Sequence, residues 1–425
     1  MTLLLLGLFF VLLVLGLPIA VCMGLSAAVV ILTQGLPLAV LAQRTVNALD
    51  STPLLAVPLF IFAANLLNAT SVVRHLFDLT RMLVGTIRGG MAQVSVLVSL
   101  VFSGISGAAL ADIGALGAVQ INMMREQGYS DRFAAGITMA AATIGPIFPP
   151  SIPLIVFAAA ADVSAVKLLI AGIVPAVIIT LLLMVQVAVM ARLKNLPRDT
   201  LKPDVRAILR KTVIALPALL APVLLIGGLI SGYFGPTEVA GVTVAYAILI
   251  GTLLYRELTW SRLIGAMRDS VEATASVLFI VASAALFAWV LTVDRVPASA
   301  SEFLLGLSRD PVVLLLIVNV MLLVVGMVLE SIAAILIIAP IVTPALAAAG
   351  VDPVQLGIVF VLNLMIGLLT PPVGMSLYMV SIVAKMPLHR VIGGAVPFLL
   401  PLLLSLVLVS LIPAASTWLP NLLMK

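Results

Sequence analysis

The chain is poor in the side chains that soluble enzymes rely on. It has one cysteine and two histidines in 425 residues. Cys22 therefore has no partner for an internal disulfide, and the redox state of its compartment is unreadable from it. His75 and His389 stand apart, and the patterns HExxH, CxxC and GxxxxGK[ST] do not occur. Their absence argues against a zinc hydrolase, a dithiol redox enzyme or an ATPase within this chain. Charge is also scarce, at 9% of residues, and aromatics make up 5%. A formal charge of +5 raises nucleic acid as a partner, but the basic residues lie in short links between apolar runs, where they orient a membrane protein instead. A membrane-embedded lipid-modifying enzyme would need convergent Asp or His groups in its spans, and none are supplied. Any energy source is left to an ion gradient or another subunit, and no organic cofactor is implied.

What abounds is apolar sequence, 63% of the chain. Runs extend roughly over 3–33, 54–70, 89–124, 134–161, 168–191, 213–232, 236–254, 271–292, 311–349, 354–384 and 391–418. Backbone amides cannot be left bare in hydrocarbon, and long runs without alternation call for helices rather than a barrel. The fold class is an all-α polytopic membrane protein in a lipid bilayer. The first run lacks a basic leader and is too long for a cleaved signal, so it reads as mature structure. It is either one tilted helix or two short ones broken near Gly16 and Pro18.

The most basic link, Ala191 to Lys211, belongs in the cytoplasm by the positive-inside rule. The Arg-bearing links around 74–88, 125–132 and 256–268 reach the same side only if 89–124 enters and leaves from the inside and 311–349 from the outside. Both become re-entrant hairpins, with tips at "SGISGA" (Ser103 to Ala108) and "GMVLES" (Gly326 to Ser331).

Gly104, Gly128, Gly145, Pro149 and Pro150 each recur 222 positions later as Gly326, Gly350, Gly367, Pro371 and Pro372. With opposite entry sides, this is an inverted repeat, an architecture that places substrate and ion sites at midplane where broken helices meet. In "GPIFPPS" (Gly145 to Ser151), Pro149, Pro150 and Pro153 lack N–H donors, which frees carbonyls near Gly145 and Pro146. In "LLTPPVGMS", Pro371 and Pro372 act alike, and Thr370 adds a hydroxyl. A cage of neutral carbonyls and hydroxyls suits a hard monovalent cation such as Na⁺.

Five stretches in order, "LLAVPLFIFAANLL", "SGISGAALADIGALG", "IGPIFPPSIPLI", "GYFGPTEVAG" and "GLLTPPVGMSLY", resemble the large membrane subunit of the TRAP (tripartite ATP-independent periplasmic) transporters over essentially the whole chain. The resemblance implies an elevator-type symporter of the bacterial inner membrane that imports organic acids, among them sugar acids such as sialic acid and C4-dicarboxylates, with two or more coupling Na⁺ ions. It implies two partners, a small four-helix membrane subunit and a periplasmic substrate-binding protein. It assigns one Na⁺ to Ser103, Ser106, Gly145 and Pro149, a second to Gly326, Gly367, Thr370 and Met375, and the substrate to Ser106, Ser151 and Glu330. It divides the chain into scaffold helices at 1–88, a first transport repeat at 89–166, further scaffold with the basic loop at 167–310, a second transport repeat at 311–390 and a C-terminal helix at 391–425. A stand-alone elevator symporter is the alternative.

A carboxylate at a hairpin tip costs about 3 kcal/mol unless it is partnered or hydrated, so Glu330 marks a polar pocket. It would repel a simple dicarboxylate, which points either to a ligand with hydroxyl or amine groups, as in a sugar acid, or to an indirect role beside Na⁺. Asp112 reads as a residue that orients the hairpin, Thr237 as an N-cap with Glu238 in the first turn behind it, and Asp269 and Glu272 as serving the start of a helix. Arg44, in an external link, is placed to meet the binding protein or an incoming acid.

Overall fold

The computed structural model describes residues 1–199 and 204–424, and within them every regular element is helical. Residues 200–203 of the basic link lie outside the described residues. The first half comprises α1 (Thr2–Val14), α2 (Ile19–Thr33), α3 (Ala39–Leu49), α4 (Thr52–Asn68), α5 (Val72–Val84), α6 (Gly90–Ser106), α7 (Ala109–Glu126), α8 (Asp131–Ala142), α9 (Ile152–Ala161), α10 (Ala165–Ala171) and α11 (Ile173–Leu193). The second comprises α12 (Val205–Ile230), α13 (Pro236–Leu249, continued by a π-helical turn at Ile250–Leu254), α14 (Trp260–Val293), α15 (Val296–Leu307), α16 (Pro311–Gly326), α17 (Ser331–Ala348), α18 (Pro353–Gly367), α19 (Met375–Ala384), α20 (Leu388–Leu411) and α21 (Ala414–Leu423).

Among the described residues, 6 helical stretches are long and apolar enough to cross a bilayer unaided, or up to 7 if α3 and α4, bent by 60° at their junction, count as one span. The chain is a multi-pass membrane protein. Most hairpin arms and half-helices are shorter than a full span, as re-entrant segments should be. The first apolar run resolves into two helices, because Gly16 turns at φ +83 and Pro18 caps the start of α2.

The repeat is deeper than its glycines and prolines indicate. Adding 222 to the bounds of α7 gives those of α17, and Asp131, the first residue of α8, maps onto Pro353, the first of α18. The local chemistry explains the shared register. Gly128 and Gly350 have φ of +85 and +93 just past α7 and α17. At each, the next residue's N–H reaches back to the helix, Tyr129 to Met124 O and Val351 to Leu346 O. This left-handed glycine stop closes each returning arm. Two residues further on, the side chains of Ser130 and Asp352 cap α8 and α18. The correspondence also runs upstream, where α5 shifted by 222 covers 294–306, against Val296–Leu307 for α15.

Two expectations about helix starts need correction. The N-cap of α13 is Gly235, with Pro236 in its first turn, and Thr237 lies inside the helix with its hydroxyl donating to Thr52 O at 3.1 Å. Proline's fixed φ favours the first helical position, which moves the boundary upstream of the threonine. Asp269 and Glu272 do not start a helix, because α14 begins at Trp260 behind an N-cap by Thr259. The apolar run there begins only at 271, about three turns into the helix, so hydropathy does not reveal the polar first turns.

The links assigned to the cytoplasm meet at one end. Gly89 N–H donates to Pro197 O and Asp199 N–H to Gly85 O. Tyr129 donates to Pro197 O at 2.9 Å. Asp199 also pairs with Arg81 at 2.5 Å and accepts from Gln127 at 3.0 Å. Glu257 accepts from the Ser71 N–H and hydroxyl, and the latter bond holds its carboxyl below the ordinary range despite partial desolvation. Arg81 thus anchors a loop through Asp199.

Packing interlocks the halves. The returning arm α7 lies on α19, and its counterpart α17 lies on α9. Helix α20 packs on α8, α11 and α18, and α10 contacts α9 and α18. The helices that follow each break therefore pack with the hairpins.

Candidate functional site between the hairpin tips

Each hairpin tip is tied to the break beside it by one backbone bond. Ile152 N–H donates to Gly107 O at 3.3 Å, and Gly374 N–H donates to Met327 O at 3.0 Å. Both breaks contain a cis peptide, Pro149-Pro150 in one and Pro371-Pro372 in the other.

A cavity of about 100 Å³ lies where the tips meet, lined among others by Ala108, Ala109, Leu110, Pro146, Glu330, Ser331, Ile332 and Leu368. These eight form four pairs separated by 222: 108 with 330, 109 with 331, 110 with 332 and 146 with 368. The cavity therefore sits on the pseudo-two-fold axis, and α14 reaches it through Val277. The pairs match in position and differ in chemistry. Ala108 leaves the start of α7 without a side-chain cap. Glu330 caps α17, accepting from Ile332 N–H at 2.8 Å, Ala333 N–H at 3.2 Å and the Ser331 hydroxyl at 2.8 Å. One helix start facing the pocket thus carries its own anion, which neutralises the positive end of that dipole.

The first junction brings Ser106 and Gly145 against the buried carboxylate of Asp112, while Ser103 lies on the last turn of α6 and Pro149 in the break before α9. Asp112 is 2% exposed. Its Oδ1 accepts from the Ser106 hydroxyl, which holds the tip to the returning arm as the sequence suggests. Among the described residues its Oδ2 has no partner, and it faces Gly145 so closely that a Cβ there would collide with it. Such an orphaned, buried, acceptor-only oxygen fits a cation beside the break. Among the described residues no hydrogen bond reaches the Gly145 carbonyl. The Pro146 carbonyl, expected to be bare, instead accepts from the Ser151 hydroxyl, because Ser151 is fully buried and caps α9 at Leu154 N–H.

At the second junction, Gly326 and Gly367 touch backbone to backbone; a Cβ on Gly367 would stand 2.6 Å from the Gly326 carbonyl carbon. The Thr370 hydroxyl donates to Ile366 O at 2.8 Å, and that of Ser103 donates to Ser99 O at 2.6 Å. Both hydroxyls spend their proton within their own chain segment and keep lone pairs free. Met375 opens α19, and next to it Ser376 has a buried hydroxyl without a partner among the described residues, while its N–H donates to Leu368 O. The sequence offers Asp112 as a residue that orients the hairpin and not as a ligand, and it does not single out Ser376. A charge inside an apolar run was the available signal for Asp112, and nothing marks Ser376 among the other serines.

Of the residues assigned to substrate, Glu330 lines the cavity, while Ser106 and Ser151 lie behind it, tying the tip and capping the half-helix. Arg44 stands 5.6 Å from the Trp289 ring centroid, so its charge is already engaged on the face of an aromatic ring.

Over residues 6–415 the sequence matches the profile of the tripartite ATP-independent periplasmic transporter, DctM component. The chain belongs to this family. It is 37% identical over 411 residues to the sialic acid TRAP transporter large permease protein SiaM of Vibrio cholerae, covering 96% of this chain and 95% of that one. It is 41% identical over 401 residues to the C4-dicarboxylate TRAP transporter large permease protein DctM of Pseudomonas aeruginosa, covering 94% and 93%. Among solved structures, the YdaH transporter of Alcanivorax borkumensis superposes with a TM-score of 0.64 at 17% identity, over 90% of this chain and 88% of that one, a likeness of fold alone. Membership in the DctM family makes the chain a transporter permease subunit and removes the lipid-modifying enzyme from consideration.

Proposed function

We propose that this TRAP permease subunit imports organic acids in symport with Na⁺ by an elevator movement, across the bacterial inner membrane, together with a small four-helix membrane subunit and a periplasmic substrate-binding protein. The observation that carries the reading is the cavity on the pseudo-two-fold axis, flanked on each side by a cation-compatible junction of tip and break. Relatives named for sialic acid and for C4-dicarboxylates support organic acids as the cargo class.

In this reading one Na⁺ is held at Ser103, Ser106, Gly145 and Pro149, with the Asp112 carboxylate supplying charge. The second is held at Gly326, Gly367, Thr370 and Met375. Each ion joins a hairpin to its broken helix, so the substrate pocket, with Ser106, Ser151 and Glu330 around it, is complete only when both are loaded. The hairpins and broken helices then slide as a body; α10 and α11, which the resemblance assigns to the scaffold, are here proposed to travel with them because they pack on α9, α18, α6 and α20. Because Glu330 already places an anion at the start of α17, the pocket favours an acid with one carboxylate and a hydroxylated remainder over a dicarboxylate.

The test is Na⁺-driven uptake of sialic acid and of succinate in proteoliposomes, with each partner omitted in turn; uptake by the permease alone would favour a stand-alone symporter. Glu330→Gln is expected to lower uptake of the hydroxylated acid about ten-fold and to raise succinate relative to it, since one buried charge is worth that much discrimination. Ser103→Ala and Thr370→Ala are each expected to raise the half-saturating Na⁺ concentration about three- to ten-fold at unchanged abundance, as loss of one neutral ligand costs about 1 kcal/mol. Equal losses of abundance and uptake would count against the ion sites.

A further inference from the structure

A second, larger cavity of about 640 Å³ opens beside the basic links that the positive-inside rule assigns to the cytoplasm, away from the tip pocket. One wall is polar and belongs to the links and helices around α5: Ser71, Arg74, Asp78, Glu257 and Arg262. The other is the returning arm of the first hairpin, through Ala115, Val119 and Met123. These three fall at successive i+4 positions, so one stripe of α7 faces the space. The same helix lines the tip pocket with Ala109 and Leu110. Ala115 lies six residues from Ala109, about 9 Å along the axis.

The charges on the polar wall are mostly spent. Asp78 is paired with Lys211 at 2.5 Å. Arg262 lies 3.7 Å from Glu257 and donates to the Ala69 and Glu257 carbonyls. Arg74 is exposed and, among the described residues, makes no hydrogen bond or ion pair. It is the uncompensated positive charge of a cavity within the usual size range of small-molecule sites. The α7 wall offers no polar side chain, so it can move along the polar wall without breaking hydrogen bonds.

We propose that this cavity is the cytoplasmic release vestibule for the organic anion, and that Arg74 is the group that draws the anion into it. The assignment rests on the transport function proposed above. Cargo leaving the tip pocket along α7 reaches a space where one arginine is free to receive a carboxylate, at the face where the basic loops gather. A lone, hydrated charge attracts an anion without holding it tightly, which suits release.

The test reads the charge of the vestibule without any substrate. In inverted membrane vesicles carrying the full-length chain, Ala115→Cys is labelled with an anionic sulfonatoethyl and a cationic trimethylammonioethyl methanethiosulfonate, against the parent chain, whose Cys22 is buried. Both reagents are expected to label from the cytoplasmic face. Arg74→Gln should lower the anionic-to-cationic rate ratio at least about three-fold, the effect of one partly screened charge at close range, and Arg74→Lys should restore it. An unchanged ratio, or no labelling by either reagent, overturns the proposal. So does anionic labelling that rises only when acidic lipids are stripped, which would assign Arg74 to a headgroup. If native chains fail to drive Na⁺-dependent uptake while the labelling pattern holds, the transport reading falls and the cationic cavity stands.

Discussion

Gly367→Ala is expected to reduce Na⁺-driven uptake about 10- to 100-fold while leaving the amount of folded protein within two-fold. The new methyl would sit 2.6 Å from the Cα and carbonyl carbon of Gly326 and 2.9 Å from its oxygen. These are backbone atoms, so no side chain can rotate away to make room. The tip of the second hairpin must move off the break, straining the Gly374 N–H bond to Met327 O. Overpacking of this kind costs about 1–3 kcal/mol, and here it falls on the contact that a coupling ion is proposed to complete. Gly393→Ala is the control, because nothing lies within 4 Å of a Cβ there, and it should transport normally. A Na⁺ titration of uptake checks the pair; if Gly367→Ala stays within two-fold of the native chain, the junction has no part in coupling.

Asp112→Ala is expected to raise the half-saturating Na⁺ concentration at least ten-fold, with Asp112→Asn between it and the native chain. The alanine removes the oxygen facing Gly145 together with the acceptor of the Ser106 hydroxyl. The asparagine keeps a hydrogen-bonding partner for Ser106 and loses only the charge. Bonds to charged groups are worth about 1.5–3 kcal/mol, which sets the size of the effect. The check that does not depend on transport is thermal stability of the substrate-free protein. Native chains should gain stability with Na⁺ over K⁺ by mass action, and Asp112→Ala should lose that gain at the same concentrations. An equal Na⁺ response in both would remove Asp112 from the ion site.

The features legible in the sequence are those in which backbone geometry dictates the residue. Gly128 and Gly350 stop the returning arms at positive φ, and the paired prolines interrupt α8–α9 and α18–α19. Both leave a mark that survives in a single chain, and their common offset exposed the inverted repeat. The correspondence of α5 with α15 left no such mark, because an amphipathic arm requires only a pattern of polarity. The pocket was partly hidden for the same reason: its first-repeat wall is Ala108, Ala109 and Leu110, residues that any membrane helix contains. Asp112 was visible as a charge out of place, but its two oxygens are distinguished only by what packs against each.

By itself the sequence determined that this chain lives in a bilayer as helices, where the chain turns back and where it breaks, because hydropathy, charge and proline act locally. The tertiary structure decided which groups remain unsatisfied. Among the described residues, Pro146 O found Ser151, Glu330 closed the start of α17, Asp112 kept one oxygen bare and Arg74 made no ion pair. Satisfaction of a polar group depends on partners brought from distant positions by packing, and the order of residues along a chain does not specify them.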